Sequence, residues 1–172
     1  MKHTAFVLMG GNVGDVPASF STALAKFRSG GLTPVRMSSL YISEPWGMDG
    51  AAPFHNQAVM LHTEWSARQL LTFLLSTERA MGRTRQPGLT QSRRIDLDIL
   101  FYDDLVVSEP KLTIPHPRMH LRRFALLPMK EIAPDHIHPL LDKSIRQLLE
   151  ECPDQLMVKK LRPEPAQGNE EP

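Results

Sequence analysis

The chain has 172 residues, 41% of them hydrophobic and 23% charged, and a formal net charge of +1. That length supports one domain with a core of its own, and a charge so near balance argues against a general nucleic-acid binder, which carries a strong basic excess. Cys152 is the single cysteine, which excludes an internal disulfide and a cysteine-based zinc site. No apolar run approaches the ~20 residues of a membrane span. The opening Met1-Lys2-His3-Thr4 leads straight into a strand-like segment without a signal-peptide pattern, so a cytoplasmic protein with no membrane association is expected.

Ala5 to Met9 reads as a buried strand that ends in the glycine-rich turn Gly10-Gly11-Asn12-Val13-Gly14-Asp15. Asp15 is placed to cap a helix, with Pro17 in its first turn and Val16, Phe20, Leu24 and Phe27 as its apolar stripe. A glycine-rich strand-to-helix turn can bind phosphate. This one has neither the Gly-x-Gly-x-x-Gly spacing nor a Gly-Lys-Ser/Thr ending, so a plain tight turn is the better reading of these residues alone. Gly30-Gly31 closes the helix, and Val35 to Tyr41 is predicted as a second strand. The segment from Ser43 to Pro53 is a long loop, and loops of that length in compact domains are commonly functional. Phe54 to His62 then resumes as a strand with Asn56 near its start, a side chain that offers donors and an acceptor to a ring edge or to a strand end.

Ser66 and Gln69 form a capping-box pattern for a second helix, with Leu70, Leu71, Leu74 and Leu75 as its buried face, Glu78 in its last turns and Gly82 as its stop. Arg83 to Arg93 is a polar loop able to close over an anion. In Arg93-Arg94-Ile95-Asp96-Leu97-Asp98-Ile99-Leu100-Phe101 the apolar residues alternate, which predicts a strand with Ile95, Leu97, Ile99 and Phe101 on one face. Asp96 and Asp98 fall together on the other. Adjacent carboxylates repel unless a cation sits beside them, and two hard oxygen ligands suit Mg²⁺, which fills its remaining positions with water and phosphate. The bland alternative is a solvated strand face. What tilts the balance is that Arg83, Arg85, Arg93 and Arg94 precede the acids, while His116, Arg118, Arg122 and Arg123 follow them. Metal-binding carboxylates flanked by guanidinium forks are the parts needed for phosphoryl transfer.

Beyond the acids, Tyr102-Asp103-Asp104 is a turn, Leu105 to Val107 a short returning strand, and Leu112 to Arg118 an extended segment held open by prolines. Helices are predicted over Arg123 to Glu131, interrupted by Pro128, and over Ile145 to Glu150, with a last strand from Leu156 to Leu161. Residues 1–161 form one expected domain, and 162–172, rich in Pro and Glu, an expected disordered tail. Strands come in neighbouring pairs between helices, so the class is α+β with a mostly antiparallel sheet rather than a doubly wound fold.

Taken in order, several of these segments resemble 6-hydroxymethyl-7,8-dihydropterin pyrophosphokinase, a folate-pathway family that moves a pyrophosphoryl group from ATP to a pterin alcohol. They are Gly10-Gly11-Asn12-Val13-Gly14-Asp15, the stretch from Ser38-Ser39-Leu40-Tyr41 to Asn56, Gly82-Arg83-Thr84-Arg85, Arg93 to Leu100, Pro115-His116-Pro117-Arg118-Met119, and Arg122-Arg123-Phe124. The resemblance spans Thr4 to Asp142 and implies a ferredoxin-like fold with three mobile loops around the site. It implies two Mg²⁺ ions on Asp96 and Asp98, with Arg83 and Arg93 acting on the transferring group. It assigns Arg85, His116 and Arg122 to the triphosphate, with Lys111 and Thr113 nearby, and Glu78 and the backbone around Ile99 to the nucleotide. The pterin would stack between Phe54 and Phe124, with Asn56 and backbone groups from Ser43 through Pro45 to Trp46 reading its edge. Thr90 stands where the family often has an aromatic residue, Gln91-Ser92-Arg93 where Asn-Pro-Arg or Gly-Pro-Arg is frequent, and Phe54 where Tyr is frequent.

The expected protein is thus a monofunctional kinase that needs no obligate protein partner and binds no nucleic acid. A non-catalytic pterin- or nucleotide-binding regulator of the same fold would have lost an acidic ligand or Arg83, and neither is lost. A ferredoxin-like RNA-binding module would show aromatics rather than acids on its sheet face.

Overall fold

The computed structural model describes residues 1–43, 52–82 and 95–162. Its middle strand, β1 (His3–Gly11), lies antiparallel between β4 (Phe54–Thr63) and β5 (Asp96–Tyr102). The far side of β4 is shared by two short strands, β2 (Thr33–Met37) and β3 (Tyr41–Ser43), and β10 (Val158–Lys160) adds beyond β3. Helix α1 (Val16–Ser29) connects β1 to β2 across β4, and α2 (Ala67–Ala80) connects β4 to β5 across β1. Two such interleaved connections over an antiparallel sheet are the ferredoxin-like arrangement, as expected.

The two faces of the sheet carry separate cores. Ala5, Val7 and Met9 of β1 pack with Val59, Leu61, Ile95, Leu97 and Ile99 under α1 and α2. Both helices start as their sequences demand: Asp15 accepts from the Ala18 N–H at 3.1 Å, and Ser66 and Gln69 form the full capping box. The stripe that α2 buries is Ala67, Leu70, Leu74, Thr77 and Glu78, with Leu71 and Leu75 half-buried at its margin. On the opposite face, Phe6, Leu8 and Ala58 meet α3 (Arg123–Ile132) and α4 (Ile145–Glu151). Each fully buried leucine of these layers stabilises the fold by about 1.5–3 kcal/mol.

Several predicted elements change on folding. The segment expected as one strand from Val35 to Tyr41 is two, because Ser38 turns its side chain into the ladder. Its Oγ accepts from the Ala58 N–H at 2.9 Å, while its own N–H donates to the Ala58 carbonyl at 2.9 Å. Phe101 does not share a face with Ile95, Leu97 and Ile99. The β1–β5 register passes from Val7 opposite Ile99 to Phe6 opposite Phe101, so Leu100 is the extra residue of a bulge. Leu100 and Phe101 therefore both enter the α3–α4 core and Tyr102 returns to the other. The returning strand expected at Leu105–Val107 is β6 (Val107–Glu109), and it pairs with β7 (Leu112–Ile114) in a hairpin separate from the main sheet. Helix α3 continues through Pro128. A two-residue pairing of β8 (Ile137–His138) with β9 (Lys143–Ser144), and a 3₁₀ turn at Met119–Leu121, had no sequence expectation. Among the described residues, no helix is long and apolar enough to cross a membrane.

Glu131 ties α3 to the sheet. It accepts from the Ser39 N–H at 3.0 Å, the Ser39 hydroxyl at 2.8 Å and the Tyr41 hydroxyl at 2.6 Å, and lies 3.6 Å from the Lys160 ammonium. Burial opposes its ionisation, but these donors and Lys160 outweigh it and hold the carboxyl below its ordinary range. Burial, together with Glu131, pushes the Tyr41 hydroxyl up. A carboxyl whose native pKa is depressed contributes stability above its unfolded value and loses it as pH falls through the native one. Glu131→Ala is therefore expected to lower the unfolding free energy by about 1–3 kcal/mol near neutral pH. Denaturant titration should show the gap to the unsubstituted protein closing as pH drops below the ordinary carboxylate value of 4.5.

Candidate active site

At the Gly11 end of β1, the α3–α4 face of the sheet stops being apolar. Register places Tyr41, Asn56, Gly10 and Asp96 directly opposite one another across β3, β4, β1 and β5. Opposed residues of antiparallel strands share a face, so the four form one row. The next row inward is Ala58, Leu8 and Asp98, and the row beyond holds Phe6 and Phe101 in the core. One face thus passes from packed hydrocarbon at Phe101 to Asp98 and then Asp96 along β5. The predicted pairing of the two acids holds, and both are half-buried.

The strand that carries them is an edge strand. Its outward backbone is capped from α2: Glu78, only 2% exposed, accepts from the Leu97 N–H at 2.8 Å. Leu97 thus directs its N–H away from β1, and by the two-residue alternation Ile99 does the same. Glu78, expected to contact the nucleotide, lies on the α2 side of the sheet, opposite the acids, where this bond fixes the stretch of backbone between them.

Asn56 is 3% exposed and donates from Nδ2 to the Ser43 hydroxyl at 3.0 Å. Its Oδ1 lies over Gly10, where a Cβ would come within 3.1 Å of it. Neither contact was foreseen; a glycine in an otherwise large-residue strand, Phe6-Val7-Leu8-Met9-Gly10, is the one sequence signal that could have drawn attention to it. Phe54 is half-buried at the start of β4, opposite Ser43 and on Asn56's face. Phe124 stands in the first turn of α3, partly buried against the core of that same face. The two predicted stacking partners are therefore on a common side of the sheet.

The cationic wall comes from the segment before α3. His116 donates its backbone N–H to the Leu100 carbonyl at 3.0 Å, so the bulge of β5 is also the anchor of this segment. Its Nδ1 accepts from the Arg118 N–H at 3.2 Å, which leaves the proton of the neutral ring on Nε2. Arg122 caps α3 with extended backbone, its guanidinium carbon 5.5 Å from the Phe124 ring centre. Burial and the cations Arg122 and Arg118 push the His116 pKa down to about 4, although Asp96 pulls the other way. His116 is thus within electrostatic reach of Asp96 as well as of Arg122 and Arg118. Lys111 and Thr113 are exposed on the β6–β7 hairpin, and Ile99 is buried in the α1–α2 core with only its backbone at the strand edge. Arg83, Arg85, Arg93, Pro45 and Trp46 lie outside the described residues.

Among the described residues no group of three or more His, Cys, Asp or Glu side chains forms a metal cage. Two carboxylates on one strand face, half-buried, fit a cation of another kind, one that keeps water and phosphate oxygens in most of its coordination positions. Mg²⁺ has that coordination preference.

A family model described as 7,8-dihydro-6-hydroxymethylpterin-pyrophosphokinase matches residues 6–134. A Synechocystis protein named 2-amino-4-hydroxy-6-hydroxymethyldihydropteridine pyrophosphokinase is 39% identical over 150 residues, covering 87% of this chain and 76% of its own. The Bacillus subtilis protein of the same name is 34% identical over 133 residues, covering 77% and 79%. Among solved structures, a Plasmodium falciparum HPPK-DHPS chain superposes with a TM-score of 0.73 at 17% identity, over 88% of this chain and 45% of that longer one. At that identity the superposition speaks for the fold; the family model and the relatives speak for more. The chain belongs to the 7,8-dihydro-6-hydroxymethylpterin-pyrophosphokinase family of folate biosynthesis.

Proposed function

We propose that residues 1–161 are a single cytoplasmic domain that catalyses Mg²⁺-dependent transfer of pyrophosphate from ATP to 6-hydroxymethyl-7,8-dihydropterin. The observation that carries this reading is the row across the sheet: a buried amide on β4 and a carboxylate on β5, separated only by Gly10, with His116 and Arg122 beyond. A heterocycle over the amide brings a substituent towards the carboxylates, and a polyphosphate there meets the cations. In the reaction, the hydroxymethyl oxygen bonds to the β-phosphorus while the bond from that phosphorus to its bridge with the α-phosphate breaks. AMP leaves with the bridging oxygen, and the hydroxyl proton goes to solvent.

Asp96 and Asp98 hold the cations, with two Mg²⁺ expected. Bound Mg²⁺ neutralises phosphate charge and polarises the transferring group. Phe54 and Phe124 stack the pterin, and Asn56 reads its polar edge, with backbone groups of Ser43, Pro45 and Trp46 alongside. Arg122 and Arg85 bind phosphate as fixed cations, joined by Lys111 and Thr113. His116, uncharged, donates from Nε2 without adding a full charge to the cluster. The Ile99 backbone at the outer edge of β5 contacts the nucleotide, and Glu78 holds that edge through Leu97. Arg83 and Arg93 act on charge that develops in transfer.

Incubation of the purified protein with ATP, Mg²⁺ and the pterin alcohol should release AMP and no ADP. Asp96→Ala and Asp98→Ala should each reduce turnover by at least ~10³-fold with the fold retained, since the ladder is made by backbone groups that alanine keeps. Full activity in either variant would refute the assignment. For Arg83→Ala and Arg93→Ala the loss should be about 10²–10³-fold and fall on kcat rather than on the KM for ATP. A raised KM at unchanged kcat would mean that they only bind ground-state substrate.

In the metal- and substrate-free protein, His116 should titrate near pH 4 by NMR rather than at its ordinary 6.5. Arg122→Ala should move that midpoint up and Asp96→Asn should move it further down. Because the native pKa is depressed, the contribution of neutral His116 to stability is complete above 6.5 and is lost as pH falls towards 4.

A further inference from the structure

Asn56 is held from both sides by residues that make no other visible use of the contact. On the β3 side, the buried Ser43 hydroxyl accepts from Nδ2 at 3.0 Å. On the β1 side, Oδ1 rests over the Cα of Gly10, where any Cβ would stand 3.1 Å from it. The amide therefore has its nitrogen on the β3 side, at Ser43, and its oxygen on the β1 side, beside Gly10. Among the described residues the glycines with left-handed backbone are Gly14, Gly31 and Gly82, and Gly10 is not one of them. Turn geometry does not require a glycine there, and the amide oxygen is the nearest atom that any side chain would meet.

An asparagine amide is close to symmetric in shape but not in chemistry. Rotation about its last bond exchanges a donor for an acceptor, and a reader that rotates cannot tell a ring edge with an amino group from one with a carbonyl. We propose that Ser43 and Gly10 are positioning residues that fix the direction in which Asn56 reads its heterocycle, and so set the preference for a 2-amino over a 2-oxo ring. The inference rests on the reading of Asn56 as the residue that pairs with the pterin edge. Ser43 supplies the anchor that keeps Nδ2 turned to β3, and Gly10 supplies the space that lets Oδ1 lie down. Neither is a catalytic residue, since each acts through Asn56.

The test is a mutant cycle on the full chain. It is read by equilibrium titration with 6-hydroxymethylpterin and with its 2-oxo counterpart, in the presence of a non-hydrolysable ATP analogue. Ser43→Ala should weaken pterin binding by roughly five- to tenfold, the scale of one net hydrogen bond, and shrink the preference over the 2-oxo ring by a similar factor. Binding of the ATP analogue alone should not change. Asn56→Ala should lose at least as much, and the double variant should bind no more weakly than Asn56→Ala, because Ser43 has nothing left to position. Gly10→Ala should follow the same pattern by displacing Oδ1, and serves if thermal unfolding shows that Ser43→Ala does not fold. Additive losses in the double variants, or an unchanged preference in both single variants, would overturn the positioning role. Unchanged pterin affinity in Asn56→Ala would instead overturn the reading of the pocket on which it rests.

Discussion

The register of β1 between β4 and β5 is the constraint on which the rest of the molecule depends. Alternate residues of β1 serve the two cores, Ala5, Val7 and Met9 on one side and Phe6 and Leu8 on the other. A slip of one residue against either neighbour would turn every one of these side chains onto the wrong face. The same register brings Asn56, Gly10 and Asp96 into line. The burial of these apolar side chains is thus what sets the backbone frame of the site, and side-chain contacts such as Asn56 with Ser43 refine it. Function is built where the strands run past the end of the apolar layer, on a face whose direction the core has already set.

The Leu100 bulge carries that logic one step further. It sends two consecutive residues of β5, Leu100 and Phe101, into the core beneath α3. It also presents the Leu100 carbonyl to the His116 N–H. Without the extra residue, the two faces would keep strict alternation and Phe101 would leave the α3 side, weakening the core that α3 shares. Two carboxylates support this frame without facing the acid pair. Glu78 closes the open edge of β5 by accepting from Leu97, and Glu131 binds α3 to β3 through Ser39 and Tyr41. Both are acids in places where an apolar residue would have left backbone or hydroxyl donors unsatisfied.

Periodicity carried the sequence reading wherever one period ran unbroken. Phe54 to His62, the α1 stripe and the Asp96–Asp98 pair were legible for that reason. Legibility failed where a single residue altered the period. Ser38 replaces a ladder contact with its own hydroxyl and divides a strand; Leu100 inserts and inverts a face. Neither serine nor leucine announces such behaviour, because both acts depend on a partner strand far along the chain. The β8–β9 pairing is two residues deep, too short for any period to register. In the site, the acids could be read from residue chemistry and spacing. The gathering of His116 and Arg122 beside Asp96 came from family resemblance, because it requires the bulge and the turn at Met119–Leu121. The role of Gly10 was hidden behind the more obvious one of a strand-ending turn. Arg83, Arg85 and Arg93, though easily read as anion-binding, lie outside the described residues.

The electrostatic design of the site follows from its having to accept a polyphosphate and release a charged product. Clustered cations alone would bind both ends of the reaction with similar strength, and uniform binding does not accelerate chemistry. The geometry tempers them. Asp96 lies close enough to His116 to pull its pKa up against the two arginines, yet burial and those arginines keep the ring neutral at physiological pH. The fixed wall around Asp96 therefore presents its arginines beside a neutral donor, without a further full charge on the histidine. Any stronger positive field has to come from elsewhere, and Arg83, Arg85 and Arg93 sit on the polar segment between α2 and β5 that the sequence suggests can close over an anion. A moderate field on the sheet, with the stronger one supplied by those arginines as proposed above, would let binding precede full stabilisation of the transferring group. Such a division would concentrate electrostatic work at the moment when charge moves.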